Sequence, residues 1–424
     1  MGPEGLLDYL AASPTSGHAV EKACEILREG GFTGIPEHEL WDGGLPREFF
    51  VRRGTGSLVA VRQGTERPAV SGFRIACAHT DFPGLRLRSN PVRQAGGHSV
   101  LSVEIYGSPI LSTWFDRDLG LAGTAVSREP GGPLRTKPFR LPGMAARISM
   151  PAMHLNRGMN EDGFTFNKED HLQPILTTGS FTDTDLAEAV AGACGLKAEE
   201  LAGWTAHLVD IQPPSVGGIR GGFVTGQGID DLAMCHSGLE ALLSAGAAPS
   251  TSVLCLFDNE EVGSSTCAGA QSGFLDNVLE CLSGSPGEFH RALLGSILVS
   301  IDAAHAVNPA WESKFERGSR PMSNAGPVIK VNAQERYATS ALTGAYFREC
   351  AQAAGSPVQV FACRNDIPCG STIGPMLATR LGIPSVDAGN PVMSMHSIRE
   401  CTGVEDHGRM TAVLARHFEA AVSL

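Results

Sequence analysis

The sequence has no apolar run of membrane-spanning length, and aromatic residues make up only 6% of its 424 residues. A transmembrane helix needs about 20 consecutive apolar residues, so we expect no part of the chain to insert into a membrane. The first six residues also lack the basic start and apolar core of a signal peptide, and Leu6 breaks the myristoylation pattern. These absences predict a cytoplasmic protein.

Closely spaced cysteine pairs are absent as well. The 11 cysteines are scattered singly between Cys24 and Cys401, and none belongs to a Cys-x-x-Cys pair. An odd number without paired spacing fits neither a disulfide framework nor a thiolate zinc site. We therefore expect buried thiols in a reducing compartment.

Positive charge is scarce. Lysine and arginine number 33 against 45 acidic residues, which gives a formal net charge of -12. Nucleic acid and anionic lipid both attract basic surfaces, so neither is expected as a partner. An acidic substrate would also be repelled, and an enzyme acting on one would need a cation at its binding site.

Apolar residues are plentiful enough for a packed core, at 42% of the chain. A chain of 424 residues exceeds what one hydrophobic core usually supports, so we expect two domains. Short apolar runs, each followed by a polar or charged residue, predict buried strands at Phe73 to Ala78, Ser252 to Phe257, Ser296 to Ile301 and Val358 to Cys363.

Stretches with helical spacing of apolar residues are predicted near residues 18–30, at Leu232 to Ala245 and at Ala341 to Ala354. Strands that alternate with helices predict an α/β fold, here a three-layer sandwich. In open α/β sheets, functional side chains gather beyond the carboxyl ends of the strands.

The middle of the chain differs from the rest in composition and residue pattern. Residues 91–224 are rich in Gly and Pro turns and contain alternating segments such as Ser99 to Tyr106. We interpret them as an inserted, mainly β domain, with residues 1–90 and 225–424 forming the α/β domain.

Adjacent glutamates, Glu260 and Glu261, follow the run that ends at Phe257. Like charges at a strand end are costly unless a cation compensates them. A metal ion would compensate one glutamate, and the other could then act as a general base. A solvated acidic loop is the alternative interpretation of this pair.

A His-x-Asp motif, His79-Thr80-Asp81, ends another buried run. Asp81 can orient the imidazole of His79 while its other nitrogen binds a metal. Asp230, Asp302 and His396 are weaker candidates when taken singly, and for Asp230 in isolation helix capping is the likelier role. Together these residues form an oxygen and nitrogen ligand set suited to zinc, cobalt or manganese.

The motifs resemble those of the aspartyl aminopeptidase family of di-metal zinc metallopeptidases, and of its bacterial members. The resemblance extends from about residue 75 to 400 and is carried by His79-Thr80-Asp81, Thr113-Trp114-Phe115-Asp116-Arg117-Asp118-Leu119, Asp258 to Ser265, Gly370-Ser371-Thr372-Ile373-Gly374-Pro375 and Met395-His396-Ser397-Ile398-Arg399-Glu400.

The resemblance implies an aminopeptidase with two divalent ions per subunit, zinc being expected first. It implies that Asp230 bridges both ions, that His79 and Asp302 bind one of them, and that Glu261 and His396 bind the other. Glu260 would be the general base.

The resemblance also implies how substrate and subunits are bound. Lys330 would pair with an acidic first residue of a peptide, whereas the sequence alone suggests a solvated lysine at a strand end. His154 would enter the active site of a neighbouring subunit, and the inserted domain would help to form dimers that assemble into a dodecamer.

Two positions depart from the family pattern. Asp231 stands where the family has Asn after the bridging Asp, and Asn308-Pro309-Ala310 stands where it has His-Pro-Asn. Neither departure removes an expected ligand, but the second could remove a polar contact to substrate.

Other functions stay open at this point. A neutral or broad-specificity aminopeptidase would use the same metals, and an inactive oligomeric metal-binding scaffold would retain the ligands without turnover. A serine or cysteine hydrolase is disfavoured because the chain has no Gly-x-Ser-x-Gly motif and its cysteines have no obvious activating context.

Overall fold

The buried strands and the helices form where the hydrophobic patterns predict them. The computed structural model describes residues 2–39, 44–128 and 131–421. The four predicted strands are found at Phe73–His79, Thr251–Phe257, Ile297–Ile301 and Gln359–Ala362. The three predicted helices are found at Ser16–Glu29, Ile229–Ser244 and Ala341–Ala353.

The helices are α1 (Glu4–Ala12), α2 (Ser16–Glu29), α3 (Pro68–Ser71), α4 (Asp183–Ala193), α5 (Ile229–Ser244), α6 (Phe274–Ser283), α7 (Pro286–Leu294), α8 (Ala341–Ala353), α9 (Ile373–Leu381) and α10 (Val404–Glu419). Within the residues that the structure describes, none of these helices has the length and apolar character to cross a membrane.

The strands are β1 (Thr33–Ile35), β2 (Glu48–Arg53), β3 (Ser57–Arg62), β4 (Phe73–His79), β5 (Gly84–Ala95), β6 (His98–Tyr106), β7 (Asp118–Arg128), β8 (Leu134–Arg140), β9 (Ala146–Arg147), β10 (Ile175–Thr178), β11 (Leu201–Asp210), β12 (Ser215–Gly217), β13 (Phe223–Gly226), β14 (Thr251–Phe257), β15 (Ile297–Ile301), β16 (Ala304–His305), β17 (Val328–Val331), β18 (Gln359–Ala362), β19 (Ser385–Gly389), β20 (Pro391–Met393) and β21 (Glu400–Gly403).

The chain divides into two units. The first comprises Met1–Phe82, Pro214–Met395 and Glu400–Leu424, and the second comprises Pro83–Pro213 and His396–Arg399. The first unit contains a nine-stranded sheet in the order β1-β2-β3-β14-β4-β15-β19-β17-β18 and a smaller sheet in the order β12-β13-β21-β20-β16.

The nine-stranded sheet has a hydrophobic core on each face. Along β4, Ala76 and Ala78 join one core, whereas Ile75 and Cys77 join the other. Residues of α1, α2, α5, α8 and α10 complete the first core, and residues of α6, α7 and α9 complete the second. Because successive side chains of a strand point to opposite faces, the sheet lies between two helical layers. The predicted three-layer α/β sandwich is confirmed.

Strand register places three candidate residues, His79, Glu260 and Asp302, at one edge of the sheet. β14 and β15 both run parallel to β4, the first with Phe257 opposite His79 and the second with Ser300 opposite Cys77. The residues that follow β14 and β15 therefore emerge beside His79. This is the carboxyl edge, where ligands collect in α/β sheets.

The second unit is built mainly from β-strands. Its sheet has the order β11-β5-β6-β10-β9-β7-β8, and a further pairing of β11 with β7 closes six of these strands into a ring. Residues of α4 and of the strands form its core around Trp114, which is fully buried. The expectation of an inserted, mainly β domain is confirmed.

The limits of the two units differ from the predicted division at residues 91 and 224. Pro91 lies inside β5, so the insert begins earlier, at Pro83. β12 pairs with β13, and β13 pairs with β21, which places both strands in the first unit. The Gly and Pro content that marked the insert continues past its end, and composition therefore could not locate the boundary.

Candidate metal centre

His79 is the last residue of β4, and its side chain is almost fully buried. Its Nδ1 lies 2.9 Å from the backbone carbonyl oxygen of Asp81. A carbonyl can only accept, so Nδ1 carries a proton and Nε2 is the nitrogen that faces the neighbouring carboxylates. Nε2 lies 3.7 Å from Oδ1 of Asp230 and 3.9 Å from Oδ2 of Asp302. The structure therefore brings these three predicted ligands together.

Asp230 and Asp231 lie at the start of α5 and are joined by a cis peptide bond. Both are buried, and Oδ2 of Asp231 accepts a hydrogen bond from the backbone N–H of His79 at 3.1 Å. Burial raises the pKa of Asp231 well above its usual range, against the opposing effect of His79. Donor atoms of His79, Asp230 and Asp231 all lie within 4.8 Å of one another. The extra carboxyl group that departs from the family pattern therefore belongs to the same cluster.

Glu260 and Glu261 open a short 3-10 helix, Glu260–Val262, just beyond the end of β14. The carboxylate of Asp81 accepts hydrogen bonds from both backbone N–H groups, at 3.0 Å from Glu260 and 3.1 Å from Glu261. One donor atom from each glutamate lies within 4.8 Å of a ring nitrogen of His79. Burial raises the pKa of Glu260 to about 8, and its acidic neighbours Asp302 and Glu261 add to the rise while His79 opposes it.

Asp302 directly follows β15 and is paired with a buried lysine. Its Oδ1 accepts a hydrogen bond from Nζ of Lys330 at 2.6 Å, and the carbonyl oxygen of Ala303 accepts another at 3.1 Å. Burial by itself would lower the pKa of Lys330, but Asp302 and Asp387 raise it, so the ammonium group is charged. Lys330 is 2% exposed, which rules out the solvated lysine that the sequence alone suggests. The close approach of Gly389 restricts the same region, because a Cβ there would lie 1.9 Å from the Asp302 carbonyl oxygen.

The chemistry of this cluster fits a divalent cation. Its donors are carboxylate oxygens and one imidazole nitrogen, which are the ligand types of zinc, cobalt and manganese sites. Burial would lower the pKa of His79, yet Asp231 and hydrogen bonds with Asp230 and Asp81 raise it well above the usual range. Buried carboxylates that favour a positive charge so strongly are suited to metal binding.

His396 and His154 belong to the second unit. Nδ1 of His396 lies 3.1 Å from the carbonyl oxygen of Ser108, which places a proton on Nδ1 and leaves Nε2 as the nitrogen that can bind a metal, as in His79. His154 is exposed in a short 3-10 helix, Met153–Leu155, in which Met153 and Leu155 are also exposed. The role of His154 in a neighbouring subunit stays a prediction.

The structure also identifies contacts that sequence reasoning missed. Glu400 is buried and its Oε2 accepts a hydrogen bond from the backbone N–H of Asp230 at 2.9 Å. Glu400 is the last residue of the motif from Met395 to Glu400, and its place in that motif was the signal in the sequence that pointed to a functional role. Asp81 was expected to orient His79 with its carboxylate, but Oδ1 lies 3.6 Å from Nδ1 and the backbone carbonyl is the closer partner. Its carboxylate also accepts the backbone N–H groups of the two glutamates.

Known proteins resemble this chain over nearly its whole length. The family described as Aminopeptidase I zinc metalloprotease (M18) matches residues 9–418. The probable M18 family aminopeptidase 2 of Stutzerimonas stutzeri (strain A1501) is 39% identical over 424 residues, covering 99% of this chain and 98% of the relative.

Solved structures are similar as well. A chain of the cryo-EM structure of the Ape4 and Nbr1 complex has a TM-score of 0.94 and 33% identity, covering 97% of this chain and 84% of that one. The S. cerevisiae mApe1 dodecamer gives a TM-score of 0.87 at 26% identity, covering 99% and 96%.

Proposed function

The chain belongs to the M18 family of zinc metalloproteases and is an aminopeptidase, and on that premise we propose that it releases N-terminal residues, preferentially Asp or Glu, from peptides. The observation that carries the metal-dependent reaction is the convergence of His79 Nε2 on the carboxylates of Asp230 and Asp302, at 3.7 and 3.9 Å. Ligands of one ion are separated by similar distances, because metal-to-ligand bonds are about 2.0–2.2 Å long.

Two divalent ions, with zinc expected first and cobalt or manganese as alternatives, would be held by five side chains. We propose Asp230 as the bridging ligand, with His79 and Asp302 on one ion and Glu261 and His396 on the other. Bound there, the ions would acidify water and polarise the carbonyl of the scissile peptide bond. The shared protonation of His79 and His396 at Nδ1, each against a backbone carbonyl, supports this assignment because it leaves Nε2 as the ligand atom.

Glu260 is proposed as the general base. It would take a proton from the attacking water as the oxygen adds to the carbonyl carbon. It would then deliver that proton to the nitrogen that leaves when the peptide bond breaks. Its backbone N–H is fixed by Asp81, so the position of the carboxylate relative to His79 is defined by a contact outside its own loop.

Lys330 is proposed to recognise the acidic side chain of the substrate. The overall charge of -12 repels such a substrate, so a local cation is required. Asp302 and the Ala303 carbonyl occupy two of the three N–H donors of the ammonium group. The third donor can serve a substrate carboxylate.

We further propose that the chain acts as a cytoplasmic homo-oligomer, a dodecamer built from dimers that the second unit helps to form. The structure described as the S. cerevisiae mApe1 dodecamer is similar to this chain. The Met153–Leu155 turn supports a subunit interface, because Met153 and Leu155 expose apolar surface on either side of His154 and exposed apolar patches mark protein–protein contact sites. His154 lies in this turn and would act in the neighbouring active site.

The experiment compares the hydrolysis of Asp-, Glu- and Leu-terminated chromogenic peptides by zinc-loaded protein, with N-acetylated peptides as controls. Turnover of free Asp and Glu termini, and none of the acetylated peptides, is expected. Equal or faster release of Leu would favour the alternative, a neutral or broad-specificity aminopeptidase. No turnover in metal-replete protein would favour an inactive oligomeric scaffold.

A further inference from the structure

A second group of metal-ligand side chains shares no residue with the five proposed ligands. It consists of His236 and Glu240, both on α5, and His407 on α10. One donor atom from each residue lies within 4.8 Å of the other two. The proposed aminopeptidase mechanism uses none of them.

The same three atoms take part in every pairwise approach. Nδ1 of His236 and Nε2 of His407 are 3.0 Å apart. Oε2 of Glu240 lies 3.6 Å from Nε2 of His407 and 3.9 Å from Nδ1 of His236. Two ligand atoms in a tetrahedral site with bonds of about 2.0–2.1 Å are separated by about 3.4 Å. The three distances between these donor atoms therefore match three ligands around one ion.

The second nitrogen of His407 is engaged by a neighbouring side chain. Its Nδ1 lies 3.0 Å from the hydroxyl oxygen of Ser237. When this hydroxyl accepts the Nδ1 proton, the lone pair of His407 is on Nε2, which faces the other two donors. Metal-binding histidines generally have such a partner on the nitrogen that does not bind the metal.

The group is enclosed. His236 and His407 are each 4% exposed, and the Glu240 side chain is 24% exposed. α1 covers one side, where a Cβ on Gly5 would lie 3.2 Å from Cε1 of His236. A carboxylate that is partly removed from water is stabilised by a neighbouring positive charge. A bound cation would supply that charge to Glu240.

We propose that His236, Glu240 and His407 bind a further divalent transition-metal ion of the zinc class. Two imidazoles and a carboxylate suit zinc, cobalt or nickel better than calcium or magnesium, which prefer oxygen ligands. The ion would join α5, whose first turn contains the proposed bridging ligand Asp230, to α10. Its role is to fix that helix in place, and no reaction is assigned to it.

The first test is the number of zinc ions per chain after equilibrium dialysis. Wild type is expected to hold one ion more than Glu240→Gln, which removes the charge but keeps the shape of the side chain. Glu280→Gln, an exposed glutamate on α6, is the matched control and should behave as wild type. Equal zinc content in wild type and Glu240→Gln across the dialysis series would overturn the proposal.

A second measurement needs no variant and therefore does not depend on whether a variant folds. Crystals of zinc-loaded wild type should show an anomalous difference peak at the zinc edge among the three donor atoms. A peak at the candidate metal centre without one at His236, Glu240 and His407 would show that the two histidines form only a hydrogen-bonded pair. Ser237→Ala should lower the zinc affinity of this site about tenfold, as loss of such a supporting contact does elsewhere.

Discussion

The carboxylate of Asp81 accepts a hydrogen bond from the backbone N–H of Glu260, at 3.0 Å. A residue in the loop after β4 thus positions the proposed general base in the loop after β14. The same carboxylate accepts the N–H of Glu261, the proposed ligand that follows. Asp81 therefore connects the general base and the metal ligands through backbone geometry.

Replacing Asp81 with Ala should lower kcat by about 100-fold, because two partly buried N–H groups lose an acceptor at about 1–3 kcal/mol each and the turn shifts. Asp81→Asn keeps one acceptor oxygen and should retain more activity. Steady-state kinetics with zinc-loaded variants is the measurement, with zinc content determined in parallel. Unchanged kcat in Asp81→Ala would show that the turn is held without this contact.

Lys330→Met should reduce the preference for Asp over Leu termini by about 100-fold, since truncating one partner of a buried charge pair costs about 2–5 kcal/mol. It also leaves Asp302 without its ammonium partner, so zinc affinity should be measured as well. Lys330→Arg, which keeps the charge, is the control and should retain an acidic preference. An unchanged ratio of kcat/KM for the two substrates in Lys330→Met would remove this residue from the specificity pocket.

Removal of metal with a chelator should abolish aminopeptidase activity, and addition of zinc, cobalt or manganese should restore it. The melting temperature should also fall, because an ion present at about 1,000 times its Kd stabilises the folded state by about 4 kcal/mol. Activity and melting temperature are measured on the same samples. Full activity at undetectable metal content would contradict a metal-dependent mechanism.

The stability of the first unit should fall in mild acid because of His417, which is fully buried. Its Nε2–H donates to the carbonyl oxygen of Ile75 at 3.0 Å, and Nδ1 accepts from the Tyr346 hydroxyl at 2.9 Å. Burial, and then the charge of Arg74, lower the pKa of His417 to about 3. His417 is therefore neutral in the folded protein.

His417 binds a proton near pH 6.5 in the unfolded chain but only near pH 3 in the folded chain. Its contribution to the free energy of unfolding is therefore fully present above about pH 6.5 and declines as the pH falls. At pH 5 the loss should be about 2 kcal/mol relative to pH 8, at about 1.4 kcal/mol per pH unit. Guanidinium unfolding at several pH values measures it. His417→Gln should have a shallower pH dependence, whereas His290→Gln, at an exposed histidine, should match wild type.

Much of the fold followed from hydrophobic pattern. β4 and β14 are apolar on both faces because helices cover both, and that continuous pattern marks a buried strand in the sequence. Polar residues directly after these strands then predicted the edge at which His79 and Glu260 meet. The family-derived ligand set was needed to select Asp230, which sequence alone does not distinguish from a helix cap.

Other features depended on contacts between distant positions, which a single sequence does not encode locally. Lys330 is buried because Asp302 pairs with it across the sheet edge, and no pattern around Lys330 indicates this. His236 and His407 are 171 positions apart and meet only because α5 packs beside α10. The end of the insert was misplaced for the same reason, since the pairing of β13 with β21 defines it.

The most direct test of the central claim is Glu260→Gln in zinc-loaded protein, assayed on an Asp-terminated peptide. Gln has the shape of Glu but cannot accept the proton, so kcat should fall by at least about 1,000-fold, in the range expected for loss of a general base. Zinc content should stay at the wild-type value, and Glu280→Gln should keep full activity. A Glu260→Gln enzyme with near wild-type kcat would contradict the proposed role of this glutamate.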